Sequence, residues 1–251
     1  MSHRVTAPAM QRARRLLNEC IRPAVLTGQV AFSVEATDEI FEIIPYHEAI
    51  SLPRQAFTIG TVWGKPWHTR WFRLVATVPE ALAGDNTVAS IDLGFDGRYD
   101  GFQVEGLVWR DGRIVHAVQP DRRLVRLGSL RAGDTVELWV EGSATPVIAG
   151  HASGYGPTSL GDPATAGDRP GYQLRKAHLA RFDDAVHQLA LTMHAVIDLT
   201  LDLPDDAPQR ARLFDAFERV GNAVDRRDVS GSAHAARQEF DRVFRAGKSP
   251  A

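Results

Sequence analysis

Phe72-Arg73-Leu74-Val75-Ala76-Thr77-Val78 sets apolar side chains at Phe72, Leu74, Ala76 and Val78, with Arg73 and Thr77 on the other side. Val136, Leu138 and Val140 repeat the pattern against Thr135, Glu137 and Glu141. A period of two belongs to a strand buried on one face, because successive side chains leave a pleated backbone on opposite sides. Between these runs, Trp109-Arg110-Asp111-Gly112-Arg113-Ile114 places Asp-Gly between two apolar segments. A two-residue hairpin turn needs positive φ, which Asp and Gly adopt at low cost, so this segment predicts a tight antiparallel hairpin. Short alternating runs broken by Gly, Pro and Asp extend from about Gln29 to Glu141. Several strands at that spacing predict a β-sandwich of jelly-roll type.

On either side the period lengthens. Met10, Ala13, Leu17, Cys20 and Ile21 recur at helical spacing among arginines, giving a short amphipathic helix that Pro23 is expected to end. Residues 150–171 are rich in Gly, Pro, Ser, Thr and Asp and read as a linker. Beyond it, Leu174, Phe182, Val186, Leu189, Met193 and Val196 form a helical stripe, interrupted at Pro204. A second helix is expected from Asp206 and Pro208 through Val224, and a third from about Ser232 through Phe244, stopped by Gly247. The expected division is a helical segment over 1–24, a sandwich over 25–150, a linker over 151–171 and a helical connector over 172–251, α+β overall.

The totals exclude several classes. With 251 residues, 44% hydrophobic and 24% charged, and a formal net charge of −2, the chain has no basic excess to suggest nucleic acid as a partner. The one cysteine, Cys20, excludes an internal disulfide framework and reads as a buried small residue in its helix. No run reaches the ~18 apolar residues of a membrane span, and no apolar segment follows the first arginines as in a signal peptide. The cytoplasm is the expected compartment.

Trp63-Gly64-Lys65-Pro66-Trp67-His68-Thr69-Arg70-Trp71-Phe72 is dense in tryptophan. Flat aromatic faces stack on sugar rings and a nearby Arg donates to hydroxyls; the same rings also serve to pack a sandwich. Trp71 and Trp139 are out of phase with the apolar faces of their strands, so each is either covered by another element or presented to a ligand. Asp92-Leu93-Gly94-Phe95-Asp96-Gly97 lacks the Gly spacing of a phosphate loop and reads as a strand end and turn. Asp92, Asp96, Asp100, Glu105 and Asp111 supply carboxylates, but nothing in the linear order selects a glycosidase pair set about 5–9 Å apart. His194 and Asp198 share a helix face at i, i+4 without a third ligand to complete a metal site. The mixed charges from Arg210 to Asp228 read as a solvated helix face.

The tryptophan-rich segment resembles the amino-terminal region of glycoside hydrolase family 38 α-mannosidases of the cytosolic and vacuolar type. That region typically reads Trp-Gly-x-Pro-Trp-Gly-Thr-x-Trp-Phe, and Trp63, Gly64, Pro66, Trp67, Thr69, Trp71 and Phe72 match it, with His68 replacing the usual small residue. The similarity continues through Asp92 to Phe95, Gly101 to Val108 and Leu138 to Glu141, and Leu174-Arg175-Lys176-Ala177 opens what resembles the family's helical connector. In such enzymes a catalytic domain follows, opening with Gly-His-x-His-x-Asp and holding zinc. The resemblance implies that this chain is the non-catalytic head of such an enzyme, split or truncated, with no cofactor of its own.

Three functional readings follow. The first is scaffolding, for assembly and for the rim of an active site on a catalytic domain. The second is a free-standing carbohydrate-binding module for an α-mannoside or oligosaccharide, with Trp67, Arg70, Trp71, Glu105 and Trp109 as its contacts. The third is a homo-oligomer assembled through the helical tail.

Overall fold

The computed structural model describes residues 6–95, 106–146 and 159–246. Helix α1 (Thr6–Leu16) runs into one π turn at Leu17–Ile21 and a last turn, α2 (Arg22–Ala24). The strands follow: β1 (Leu26–Ala31), β2 (Ser33–Ala36), β3 (Gln55–Ala56), β4 (Val62–Trp63), β5 (Thr69–Thr77), β6 (Thr87–Asp92), β7 (Gly106–Arg110), β8 (Arg113–Val118), β9 (Leu124–Arg126), β10 (Thr135–Ser143), β11 (Tyr172–Gln173) and β12 (Lys176–Phe182). A one-turn helix, α3 (Tyr46–Ala49), sits between β2 and β3, and α4 (Asp184–Asp202), α5 (Pro208–Ala223) and α6 (Val229–Ala246) complete the order. The expected antiparallel β-sandwich with helices at both ends is what the structure shows. Two compact units result, residues 28–181 and residues 1–27 with 182–251.

In the first unit a six-stranded sheet, β3-β2-β5-β10-β7-β8, faces a four-stranded one, β1-β12-β6-β9. Phe72, Leu74, Leu138, Val140 and Val108 point inward, as the period of two requires, and meet Ala89, Ile91, Val125, Ala177 and Leu179. All of these are at most 1% exposed, so each large side chain contributes its full transfer free energy, about 1.5–3 kcal/mol. The Asp111-Gly112 turn has φ of 51° and 73°, the geometry predicted for the β7–β8 hairpin. A side chain at Gly142 would meet the Trp63 ring at 2.7 Å, so only glycine fits against that indole.

The second unit packs α1, α4, α5 and α6 around Leu16, Leu17, Ile21, Val186, Leu189, Met193, Phe217, Val220 and Phe240. Four details depart from the sequence reading. Pro23 does not end the first helix at once: the π turn just before it changes the carbonyl register that a proline ring would otherwise strike. The extra residue in that turn also rotates Cys20 partly into solvent rather than into the core. Leu174 and Phe182 belong to no helix, since β12 alternates Ala177, Leu179 and later Phe182 into the interior and α4 starts only at Asp184, where Asp183 caps it by accepting from the Val186 N–H at 2.9 Å. At α5 the cap position is Ala207 rather than Asp206, although Pro208 occupies the first turn. Gly247 lies outside the described residues. No helix among the described residues is long and apolar enough to cross a membrane.

Candidate functional site

The tryptophan-rich segment folds as β4, a turn and the start of β5. Glu39 holds the turn from the side: its carboxylate accepts the N–H groups of Gly64 at 2.8 Å and Lys65 at 2.5 Å. Arg70 pairs with the same carboxylate at 3.4 Å and donates from Nε to the Thr37 carbonyl at 2.8 Å. Trp67 sits at φ 66°, an uncommon left-handed conformation for a non-glycine residue, held by its indole N–H donating to the Leu160 carbonyl at 2.9 Å. Lys65 Nζ meets Asp168 at 2.6 Å and holds that carboxyl below its ordinary range. The later part of the Gly/Pro-rich stretch is thereby tied to the turn. Trp63 enters the sandwich core completely and donates to the Leu93 carbonyl at 2.9 Å.

On the outer face of the six-stranded sheet, the out-of-phase aromatic residues of β5, β7 and β10 come together. Trp139 lies opposite both Arg73 and Trp109 in register, and Trp71 lies opposite Glu141. The segment carrying Ile40, Ile44, Tyr46, Ala49 and Ile50 covers them, leaving Trp71 1% and Trp139 5% exposed. Tyr46 stacks on Trp109 with ring centroids 4.8 Å apart and meets Trp71 and Trp139 edge-on. Arg54 lies over the Trp139 ring at 5.0 Å, a cation–π contact. Around the rings runs a charged network: Arg73 reaches Glu35 at 3.1 Å and Glu137 at 2.7 Å, and Glu137 accepts the Trp139 indole N–H at 3.0 Å. Hydrogen bonding to Arg73 holds the Glu137 carboxyl low, and the same bonds push the guanidinium up. Glu141 is different. Burial pushes its carboxyl up, opposed only by the nearby Trp109 indole N–H, which closes no hydrogen bond of ordinary geometry. The buried indole N–H of Trp71 is likewise without a partner.

Residues 29–180 match the family described as the jelly roll domain of alpha-mannosidase. This chain belongs to the α-mannosidase jelly-roll family. Human Alpha-mannosidase 2C1 is 30% identical over 190 residues, 73% of this chain and 17% of the human protein. The Mus musculus protein of the same name is 26% identical over 189 residues, with the same shares of each chain. The chain thus spans about one sixth of the length of these relatives. A Faecalibacterium prausnitzii beta-glucuronidase structure aligns at a TM-score of 0.33 and 12% identity, covering 62% of this chain and 31% of that one, a likeness too slight to bear on function.

Within this α-mannosidase jelly roll, four of the five residues expected to contact sugar are described, and they do not gather at one place. Trp71 and Trp109 share the covered face with centroids 6.0 Å apart. Arg70, one position from Trp71, leaves β5 on the opposite side and packs over Phe57 at 5.1 Å. Trp67 is held in the turn, and Glu105 lies outside the described residues, as do Asp96 and Asp100. Asp92 binds Arg123 at 2.8 Å and accepts the Gly94 N–H, an ion-paired strand end rather than a catalytic acid. The sequence reading missed Glu39, Tyr46 and Arg54. Their signal was the apolar run from Ile40 to Ile50, which fits neither a strand nor a long helix and therefore had to cover something. His194 and Asp198 form a solvent-exposed pair 3.6 Å apart, and no three His, Cys, Asp or Glu side chains gather as a metal-holding group among the described residues. These groups do not fit a zinc site.

Proposed function

We propose that this chain is the non-catalytic amino-terminal portion of an α-mannosidase, a scaffold for assembly and for the rim of an active site carried on a separate catalytic domain. The observation that supports this most is the use of the outer face: its tryptophans lie beneath the chain's own covering segment, and the charges around them are paired with one another. The parent reaction on this reading is retaining hydrolysis of terminal α-mannosides, in which one carboxylate attacks the anomeric carbon and another group serves as acid and base. No residue of this chain takes either role. Zinc or a similar divalent ion belongs to the catalytic domain, and the cytoplasm is the compartment we assign. Purified chain is expected to leave an aryl α-mannoside intact, with or without added zinc; turnover in either condition overturns the non-catalytic reading.

One observation favours a second reading, carbohydrate binding. The unpaired indole N–H groups of Trp71 and Trp109, beside the half-buried Glu141, are donors and an acceptor that sugar hydroxyls would satisfy if the covering segment lifted. Tryptophan fluorescence titrated with millimolar mannose or mannobiose tests it. A saturable change supports binding at this face, and an unchanged spectrum eliminates it.

A further inference from the structure

Of the three tryptophans on the outer face, Trp71 and Trp139 are shut in, whereas Trp109 is half-buried, as are Tyr46 and Glu141. This corner of the covered face borders solvent. Tyr46 lies on Trp109 with the ring planes 19° from parallel and the centroids 4.8 Å apart. A sugar resting its C–H face on an indole takes that same place, and a tyrosine ring with its hydroxyl is close to a pyranose in size. Trp71 stands across from Tyr46 with 6.1 Å between ring centroids, and its indole N–H is buried without a partner. Buried donors are nearly always bonded, so an open N–H near the half-buried Glu141 carboxyl marks a place suited to hydroxyls as well as to rings.

The segment that carries Tyr46 is fastened at its ends. At one end Ile40 and Thr69 exchange both backbone hydrogen bonds, at 2.8 and 2.7 Å, and at the other β3 pairs with β2. In between, among the described residues, the backbone of residues 41–53 bonds only to itself: Glu48 and Ala49 donate to the Pro45 carbonyl, Ile50 to Tyr46 and Leu52 to Ala49. Side chains alone, Ile44, Tyr46, Ala49 and Ile50, hold this stretch on the rings. We propose that Tyr46 is a built-in occupant of a monosaccharide subsite: its ring holds the place of a pyranose on Trp109, and a sugar binds there by displacing it, with hydroxyls turned to the Trp71 N–H and the Glu141 carboxyl. The proposal rests on the carbohydrate-binding reading above and adds to it the stacking position and the side chain that gates it.

Tryptophan fluorescence of the full chain, titrated with mannobiose, is expected to reach half-saturation at a concentration about tenfold lower or more in Tyr46→Ala than in the parent, because a site open in only a fraction of molecules binds more weakly by that fraction. Tyr46→Phe keeps the ring and is expected to stay with the parent. Hydrogen exchange of the parent supplies a readout that needs no variant: amides of residues 41–53 are expected to exchange severalfold faster at saturating mannobiose, whereas a sugar settling on the closed cover would slow them. Equal half-saturation in the parent and Tyr46→Ala, or exchange over 41–53 that slows or stays level while sugar is bound, overturns the displacement and leaves sugar binding in place. No fluorescence response in either protein overturns both readings, and acrylamide quenching that is stronger in Tyr46→Ala than in the parent then shows that the face was open and takes no sugar.

Discussion

The two faces of the six-stranded sheet both bury tryptophan, but by different means. Trp63 on the inner side is enclosed by apolar side chains from both sheets, and its N–H is satisfied by the Leu93 carbonyl. Trp71, Trp109 and Trp139 on the outer side lie under a single irregular segment, ringed by Arg54, Arg73, Glu35, Glu137 and Glu141, and two of their three N–H groups have no partner. The inner face is a hydrophobic core in the ordinary sense. The outer face is a covered polar surface, and each unpaired N–H there costs about 1–3 kcal/mol of desolvation that a core residue avoids. The difference teaches that depth of burial alone does not rank these positions, because what decides is whether the polar atom carried inward finds a partner.

Matched substitutions break that comparison most sharply. Trp63→Phe leaves the Leu93 carbonyl unpaired and opens a gap, and is expected to cost about 2–4 kcal/mol in urea unfolding. Trp71→Phe removes an N–H that has no partner and is expected to cost only about 1–2 kcal/mol, although Trp71 is just as buried. Equal losses would show that Trp71 has a partner and that the faces are alike. Next in size, Arg73→Met dissolves the bridge between Glu35 and Glu137 and is expected to cost about 1 kcal/mol at low salt. That loss should shrink in high salt, which screens half-exposed pairs; a salt-independent loss would mean that the arginine acts through packing.

The smallest effect sharpens the comparison by its sign. Burial raises the Glu141 carboxyl, so the folded state holds that proton more tightly than the unfolded one does. Its contribution to stability is fully present in acid, below the ordinary carboxylate value, and is lost as pH rises through the raised one. Glu141→Gln is therefore expected to melt above the parent at neutral pH and level with it near pH 4, by less than the Arg73 effect. A variant that melts lower at neutral pH would mean that the ionised carboxylate is stabilised where it stands.

Much of this was legible before any coordinates. The alternation around Leu74 and Leu138 determines which face is buried, and Asp111-Gly112 could satisfy little else than a tight hairpin. The out-of-phase positions of Trp71 and Trp139 already implied either a cover or a ligand-facing surface. What covers them was not legible, because Ile40 to Ile50 has no regular period and its contacts are distant in sequence. β12 was mistaken for helix because Leu174, Phe182 and Val186 stand eight and four apart, spacings that a helical stripe also gives. Arg70 and Trp71 are neighbours along the chain, and β5 sends them to opposite sides.

The position of β12 also bears on how the protein is made. It lies between β1 and β6, so the four-stranded sheet joins its first strand to its last only through Lys176 to Phe182. A nascent chain leaving the ribosome can pair β5 with β2, and later with β10, but half of the sandwich stays divided until that late strand has emerged. Pairings so distant in sequence close slowly. Completion of the four-stranded sheet therefore waits on the final strand, and through that interval the inner faces of β6 and β9 are exposed apolar surface of the kind that aggregates.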